Sequence, residues 1–195
     1  MNGSLILNAL IFSVTLGLIC GTFRRENGWS AQGFAEAFRF FTVQSNALCA
    51  AAALLMCIAP GETWVWVLKY AGTAAVTVTM LTVFFFLAPS MGGLAVLLKG
   101  SELFMHLLTP LAAIVSFVVF ERRGMSFGTA LWGLLPVALY GLLYLRKTVF
   151  APEGRRWDDF YGFNRGGHWP VSFAAMIAGT FAICMGLMAL QNIPR

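Results

Sequence analysis

A threonine and a histidine are the two residues of this sequence best suited to covalent chemistry. Thr42 lies just inside the second apolar segment, in the stretch Phe-Arg-Phe-Phe-Thr-Val-Gln-Ser-Asn of residues 38–46, and His106 lies inside the fourth segment. A threonine hydroxyl becomes a nucleophile when a base removes its proton. A neutral imidazole can be that base and can later donate the proton to a leaving alkoxide. The pair therefore predicts nucleophilic attack on an acyl carbonyl.

The composition of the chain is that of a membrane protein. Of its 195 residues 59% are hydrophobic and 11% are charged, with a mean hydropathy of +0.78, whereas a soluble domain carries roughly 25% charged residues. Six apolar runs are long enough to cross a hydrocarbon core of about 30 Å, and such segments must satisfy their own backbone groups as helices. The expected segments are residues 4–23, 34–59, 64–88, 100–120, 127–145 and 169–190. We therefore expect an all-α polytopic membrane protein, with one six-helix transmembrane domain over residues 1–195.

Lysine and arginine residues are divided unevenly between the two sides of this expected bundle. Nine fall on one side and four on the other, and the positive-inside rule places the nine in the cytoplasm. The nine are Arg24, Arg25, Arg39, Lys99, Arg146, Lys147, Arg155, Arg156 and Arg165, and the four are Lys69, Arg122, Arg123 and Arg195. Both termini should then face outward from a bacterial inner membrane. Anionic lipid headgroups explain the net charge of +5, so membrane lipids and not nucleic acids are the expected partners.

Thr42 opens a group of polar residues in the second segment. Thr42, Ser45 and Asn46 stand at spacings of three and four and share one helix face, whereas Gln44 points roughly 200° away from Thr42. Hydroxyl and amide side chains commonly hydrogen-bond between membrane helices, which explains each residue taken alone. If the site is catalytic, Ser45 and Asn46 are candidate donors to the oxyanion.

His106 is the only histidine within an expected span, and Glu102 lies one turn before it on the same face. Pro110 cannot donate the helical hydrogen bond to the carbonyl of residue 106, which predicts a local break. A buried histidine bonded to a neighbouring helix is the alternative interpretation. The two histidines and the nearby acids lack the ligand spacing of a metal site, and we expect neither a metal nor a cofactor.

Helices that alternate in direction bring the starts of the second, fourth and sixth segments to one side. Thr42 lies about eight residues and His106 about six residues into its segment, roughly 10 Å below one interface at 1.5 Å per residue. The ester bond of an embedded lipid would lie at that depth, so a lipid ester is the expected substrate. The loop over residues 155–170 ends on this side and could cover the site. Asp158, Asp159 or Asn164 could then hold the imidazole tautomer or contact a lipid headgroup, although the loop's aromatic residues also suit an interfacial belt.

At these positions the sequence resembles the family of androgen-induced gene 1 and androgen-dependent TFPI-regulating protein, with its bacterial relatives. The resemblance rests on Phe40-Phe41-Thr42-Val43-Gln44-Ser45-Asn46, on His106 with Pro110, and on six helices that cover most of the chain. It implies an integral-membrane threonine hydrolase that cleaves fatty acid esters of hydroxy fatty acids, with Thr42 and His106 as the catalytic pair. The family carries Tyr-Pro-Phe before its last helix, where this chain has Tyr161-Gly162-Phe163. Glycine is expected to loosen that turn and so to bear on lid geometry and substrate choice.

Two other kinds of function fit the sequence. Polar groups on the even-numbered helices also suit a non-enzymatic transporter or lipid-binding protein, although no acid is expected deep in a helix and no paired broken helices are evident. A structural subunit could pack a partner against Ala175, Gly179 and Ala182, although a contact within the chain is the expected use of Ala175 and Gly179. The substrate's chain length, the third catalytic residue and the oligomeric state stay open.

Overall fold

Six long helices form the body of the molecule. The computed structural model describes residues 3–22, 24–25, 28–90 and 92–194. Within these residues six helices are long and apolar enough to cross a bilayer, which confirms the all-α polytopic fold. From first to sixth these spans are Gly3–Thr22, Phe41–Ile58, Thr63–Leu87, Ser101–Phe120, Phe127–Thr148 and Trp169–Asn192.

Shorter elements connect or interrupt the spans. A ladder of two-residue strands pairs β1 (Arg24–Arg25) antiparallel with β2 (Gly28–Trp29). The helices are α1 Gly3–Thr22, α2 Ala31–Ala37, α3 Phe41–Ile58, α4 Thr63–Thr82, α5 Ala88–Ser90, α6 Leu94–Leu97, α7 Ser101–Leu103, α8 Thr109–Val115, α9 Phe127–Leu131, α10 Leu134–Thr148 and α11 Trp169–Asn192. Turns of π-helix occupy Val83–Leu87, Phe104–Leu108 and Ser116–Phe120, and a 3-10 turn occupies Arg165–Gly167.

The second span begins at Phe41, so the predicted start at residue 34 is wrong. Helix α2 ends at Ala37, and the chain turns through residues 38–40 before α3 begins. Thr42 is therefore the second residue of its span, whereas His106 is the sixth residue of the fourth. Measured from the helix starts, the two residues do not share the depth that the sequence predicted.

Side chains from other parts of the fold hold this turn. The Tyr140 hydroxyl on α10 donates to the Arg39 carbonyl at 2.7 Å. The Phe41 amide donates to the Tyr161 phenol oxygen at 3.1 Å. Buried backbone groups at a helix end must find such partners, and these partners lie more than a hundred residues away. Local hydrophobicity therefore predicted one continuous helix where the structure has two.

Two of the π-helical turns precede prolines. The turn at Val83–Leu87 comes just before Pro89, and the turn at Phe104–Leu108 just before Pro110. A proline has no N–H to donate, so a carbonyl in the preceding turn loses its partner and the helix widens locally. The break predicted at His106 is thus a π-helical turn within a continuous fourth span.

Close contact between α3 and α4 gives the bundle its centre. A Cβ added at Gly72 would stand 3.0 Å from Cys49 Cα, so the two backbones approach as closely as small residues permit. Ile11 from α1 and Ala113 from α8 pack against the same place. Helix α3, which carries Thr42, and the fourth span, which carries His106, are thereby packed against one core.

Helix α11 lies at the edge of the bundle. Ala175, Gly179 and Ala182 are all exposed, and a Cβ added at Gly179 would meet no described atom within 4 Å. The expected contact of Ala175 and Gly179 within the chain is therefore wrong, because both face outward. Arg195, one of the counted basic residues, lies outside the described residues.

Candidate active site

The hydroxyl of Thr42 and the imidazole of His106 lie within hydrogen-bond reach. Thr42 Oγ1 stands 3.4 Å from His106 Nε2. Thr42 is half-buried in the first turn of α3, and His106 is buried in the π-helical turn of the fourth span. The separation is at the long end of the range for a hydrogen bond. The two side chains are therefore close enough for a proton to pass between the hydroxyl and the ring.

A backbone carbonyl selects the tautomer of the neutral histidine ring. His106 Nδ1 lies 2.9 Å from the carbonyl oxygen of Leu97. Because a carbonyl can only accept, Nδ1 carries the proton, and in the neutral ring Nε2 presents its lone pair to Thr42. Leu97 ends helix α6, and its buried side chain packs against Val83 and Ala88. The connection between the third and fourth spans thus orients the imidazole.

Glu102 contacts the same ring nitrogen as Thr42. Its Oε2 lies 3.2 Å from His106 Nε2, one helical turn away, and its side chain is 48% exposed. A carboxylate cannot donate to the neutral ring, but it accepts from Nε2 once that atom is protonated. Glu102 is therefore placed to stabilise the ring of His106 in its protonated form.

Ser45 and Asn46 bond the backbone of the site rather than its open face. Ser45 Oγ donates to the Thr42 carbonyl at 3.1 Å and lies 2.8 Å from Thr79 Oγ1. Asn46 Nδ2 donates to the carbonyls of Thr42 at 2.8 Å and Met105 at 3.1 Å. Asn46 thus ties Thr42 to the residue before His106. Both donors are committed, so the expectation that they serve an oxyanion is wrong for this geometry.

The loop before the sixth span is ordered by Asp159. Its Oδ1 accepts from the Tyr144 hydroxyl at 2.9 Å and the Phe163 amide at 2.8 Å, and its Oδ2 accepts from the Asn164 amide at 2.7 Å. Asp158 is exposed, and Asn164 Oδ1 is buried with no hydrogen-bond partner among the described residues. The carboxylate of Asp159 therefore organises the loop, and the Leu97 carbonyl holds the imidazole in its place.

Tyr161 is the loop residue that reaches the site. Its phenol oxygen accepts the amide of Phe41, the residue before Thr42. The following Gly162 has φ +66°, a conformation closed to proline, and its amide donates to the Asp159 carbonyl at 3.0 Å. Glycine at this position therefore forms a bonded turn rather than the loosened turn that the sequence predicted.

A second polar centre lies near the opposite end of the bundle. Lys69 is fully buried, and its Nζ donates to Asn8 Oδ1 at 2.7 Å. Asn8 Nδ2 donates in turn to Glu121 Oε1 at 2.5 Å, which also accepts from Ser4 at 2.9 Å and Ser116 at 2.7 Å. Lys69 is thus not a surface charge, which leaves three of the four basic residues counted on its side. The signal was present, because an ionisable residue within an apolar span marks a functional or paired position.

Comparisons with known proteins leave the site to be judged on its geometry. Among the described residues, no group of three or more His, Cys, Asp or Glu side chains could hold a metal ion. No protein-family model, curated protein or solved structure matches the chain.

Proposed function

We propose that this protein is a membrane-embedded hydrolase of lipid esters, with Thr42 as nucleophile and His106 as general base. The observation that carries the proposal is the ring of His106, whose Nδ1 donates to the Leu97 carbonyl while Nε2 faces the Thr42 hydroxyl. This is the arrangement by which an oriented base activates a hydroxyl nucleophile. The resemblance of the residues around Thr42 and His106 to an integral-membrane threonine hydrolase family supports the same reading.

The reaction follows from these positions. His106 Nε2 takes the proton of Thr42 as its Oγ1 attacks the ester carbonyl, and Glu102 faces the resulting imidazolium. When the tetrahedral intermediate collapses, Nε2 returns that proton to the leaving alkoxide. A water molecule then attacks the acyl-threonine with His106 again as base, which releases the fatty acid and restores Thr42.

The surroundings of Thr42 favour a lipid over a soluble ester. Thr42 lies in the first turn of an apolar span, and we expect the polar and hydrocarbon regions of a bilayer to meet near such a helix end. A cleft of about 280 Å³ lies on the adjoining face of α3, against α10. It is lined by Phe41, Gln44, Ser45, Leu48, Pro136, Leu139, Tyr140 and Leu143. Its mostly apolar walls suit a hydrocarbon chain, and we propose fatty acid esters of hydroxy fatty acids as the substrate class.

Covalent labelling tests the nucleophile directly. A fluorophosphonate probe should label the purified protein at Thr42, and the adduct is located by peptide mass spectrometry. Thr42→Ala should abolish labelling, whereas Thr42→Ser, which keeps a hydroxyl, should retain it. His106→Gln should slow labelling by about 10²- to 10⁴-fold, the contribution of a general base. Labelling that persists in Thr42→Ala, or a wild type that neither labels nor cleaves esters, would rule the assignment out.

A second candidate function is proton-linked transport. The observation that favours it is the buried centre of Lys69, Asn8 and Glu121, since ionisable groups inside a membrane bundle often mark ion or proton paths. Proton flux into proteoliposomes, followed with an internal pH dye, should then fall in Glu121→Gln and persist in Thr42→Ala. Flux no greater than in empty liposomes would remove this candidate.

A further inference from the structure

The π-helical turn that carries His106 leaves one carbonyl without a backbone donor. At the end of this turn the Thr109 amide donates to the Phe104 carbonyl, five residues back. One step further along, the same pattern would bring the amide of Pro110 to the Met105 carbonyl, but proline has no N–H. Met105 is buried, so its carbonyl needs a donor from elsewhere in the fold.

Asn46 supplies that donor from the second span. Its Nδ2 lies 3.1 Å from the carbonyl oxygen of Met105 and 2.8 Å from that of Thr42. The amide nitrogen has two protons, and these two bonds use both of them. Asn46 is 0% exposed, so the two carbonyls are bridged away from bulk water. One side chain thus joins the backbone of Thr42 to the turn that holds His106.

Loss of the bond from Asn46 would favour a tighter turn. The Thr109 amide would then donate to the Met105 carbonyl, four residues back, as in an ordinary α-helix. That change removes one residue from the turn, and successive side chains of a helix differ in direction by about 100°. The His106 ring would swing away from Thr42 Oγ1, which lies 3.4 Å from Nε2 in the π-helical turn. The direction of the imidazole therefore depends on which carbonyl the turn leaves to Asn46.

We propose that Asn46 is a positioning residue of the proposed hydrolase, on whose activity its effect on turnover rests. It takes the place of the N–H that Pro110 lacks, keeps the turn π-helical and so aims His106 Nε2 at the Thr42 hydroxyl. Asn46 acts through the backbone and exchanges no proton with the substrate. The Leu97 carbonyl selects the tautomer of the ring, whereas Asn46 sets the direction in which the ring points.

Gln191 offers a matched control at the far end of the same span. Its Nε2 donates at 2.6 Å to the Phe117 carbonyl, which belongs to the π-helical turn Ser116–Phe120, and the residue is 3% exposed. Asn46→Leu and Gln191→Met each remove one buried amide that bonds a π-helical turn, with little change in side-chain volume. Gln191 is not among the residues that line the cleft beside Thr42.

Hydrolysis of p-nitrophenyl decanoate by the full chain in nanodiscs measures the effect on turnover. Asn46→Leu should lower kcat by about 10²- to 10⁴-fold, the contribution of a general base that no longer reaches its proton, with KM little changed. Asn46→Ser is a milder variant, because one hydroxyl proton cannot bridge two carbonyls, and it should show a loss of the same kind. Gln191→Met should lower Tm but leave kcat within a few-fold of the wild type.

Nitrogen NMR of the histidine rings gives a readout that does not depend on turnover. The chain has two histidines, so His168→Gln identifies the signals of His106. In Asn46→Leu and Asn46→Ser the ring should lose its bond to the Leu97 carbonyl and show both tautomers, whereas Gln191→Met should keep the wild-type signals.

The outcomes separate this inference from the proposed function. Wild-type kcat and unmoved His106 signals in the Asn46 variants would overturn the positioning role and leave the hydrolase standing. Equal losses of kcat and Tm in Asn46→Leu and Gln191→Met, again with unmoved signals, would assign Asn46 to stability alone. A wild type without hydrolysis, whose His106 signals still move in the Asn46 variants, would overturn the hydrolase and keep the role of Asn46 in the turn.

Discussion

Removing one charge of the network of Lys69, Asn8 and Glu121 should destabilise the protein far more than the small change in side-chain size suggests. Lys69 is 0% exposed and Glu121 is 6% exposed, so neither charge can turn to water. Lys69→Met leaves the carboxylate with its hydroxyl and amide donors but without a countercharge. Glu121→Gln likewise leaves the Lys69 ammonium with its hydrogen bond to Asn8 but without a countercharge. Breaking a buried pair from one side costs about 3–5 kcal/mol, because it leaves an uncompensated charge.

The geometry sets the size of the coupling between the two residues. Nζ lies 2.7 Å from Asn8 Oδ1, and Asn8 Nδ2 lies 2.5 Å from Glu121 Oε1. Across the amide the two charges are about 7 Å apart, and their attraction at an effective dielectric constant of about 20 is about 2 kcal/mol. The double variant should therefore be more stable than the sum of the single changes by about 2 kcal/mol.

Reversible unfolding in mixed detergent micelles, followed by circular dichroism, gives the four free energies of the cycle. Lys99→Met, at an exposed lysine, is the control and should change the free energy of unfolding by less than about 0.5 kcal/mol. Single variants that each cost less than about 1 kcal/mol, or strictly additive losses, would refute the buried pair.

Three further substitutions test the site and the packing around it. Glu102→Gln should slow Thr42 labelling about tenfold, since a hydrogen bond to the imidazolium loses its charge; an unchanged rate would show that Glu102 has no part in proton transfer. Gly72→Ala should lower the free energy of unfolding by about 1–3 kcal/mol, because the new Cβ meets the Cys49 backbone. Gly179→Ala, in open space, is the control and should be neutral or stabilise the protein by up to about 1 kcal/mol. Equal effects of the two substitutions in chemical denaturation would contradict the close contact between α3 and α4. Gly162→Pro should make the loop before the sixth span more sensitive to limited proteolysis. Proline cannot adopt the positive φ of this position, and it has no N–H to donate to the Asp159 carbonyl. Resistance equal to that of the wild type would refute this account of the turn.

The spans and the approach of Thr42 to His106 could be predicted from the sequence, for a physical reason. Long apolar runs have few stable structures in lipid, and alternation of direction brings the second and fourth spans to the same side. The hydroxyl and the ring were therefore constrained to one end of the bundle. Their contact at 3.4 Å agrees with that expectation, although the second span starts later than predicted.

The partners of the pair could not be predicted, because they are tertiary. Asn46 was on the expected helix face, but its amide bonds two backbone carbonyls on different helices. Asp159 was on the expected loop, but its bonds close that loop on itself. Spacing along the chain shows which residues share a face, and it does not show which atoms across the bundle are still unpaired. Lys69 is different, since a lysine in an apolar run could have been recognised from the sequence alone.

The bond from His106 to Leu97 has a consequence for how this site can be mapped genetically. The orienting group is a main-chain carbonyl, which every residue type at position 97 supplies. An alanine substitution at position 97 would remove the side chain that packs against Val83 and Ala88, but it would leave the acceptor itself in place. An ester in place of the amide between Leu97 and Leu98 would weaken that acceptor and leave both side chains intact. The Leu97 carbonyl, which selects the tautomer of His106, can thus be altered by a change in the backbone but not by exchanging one side chain for another.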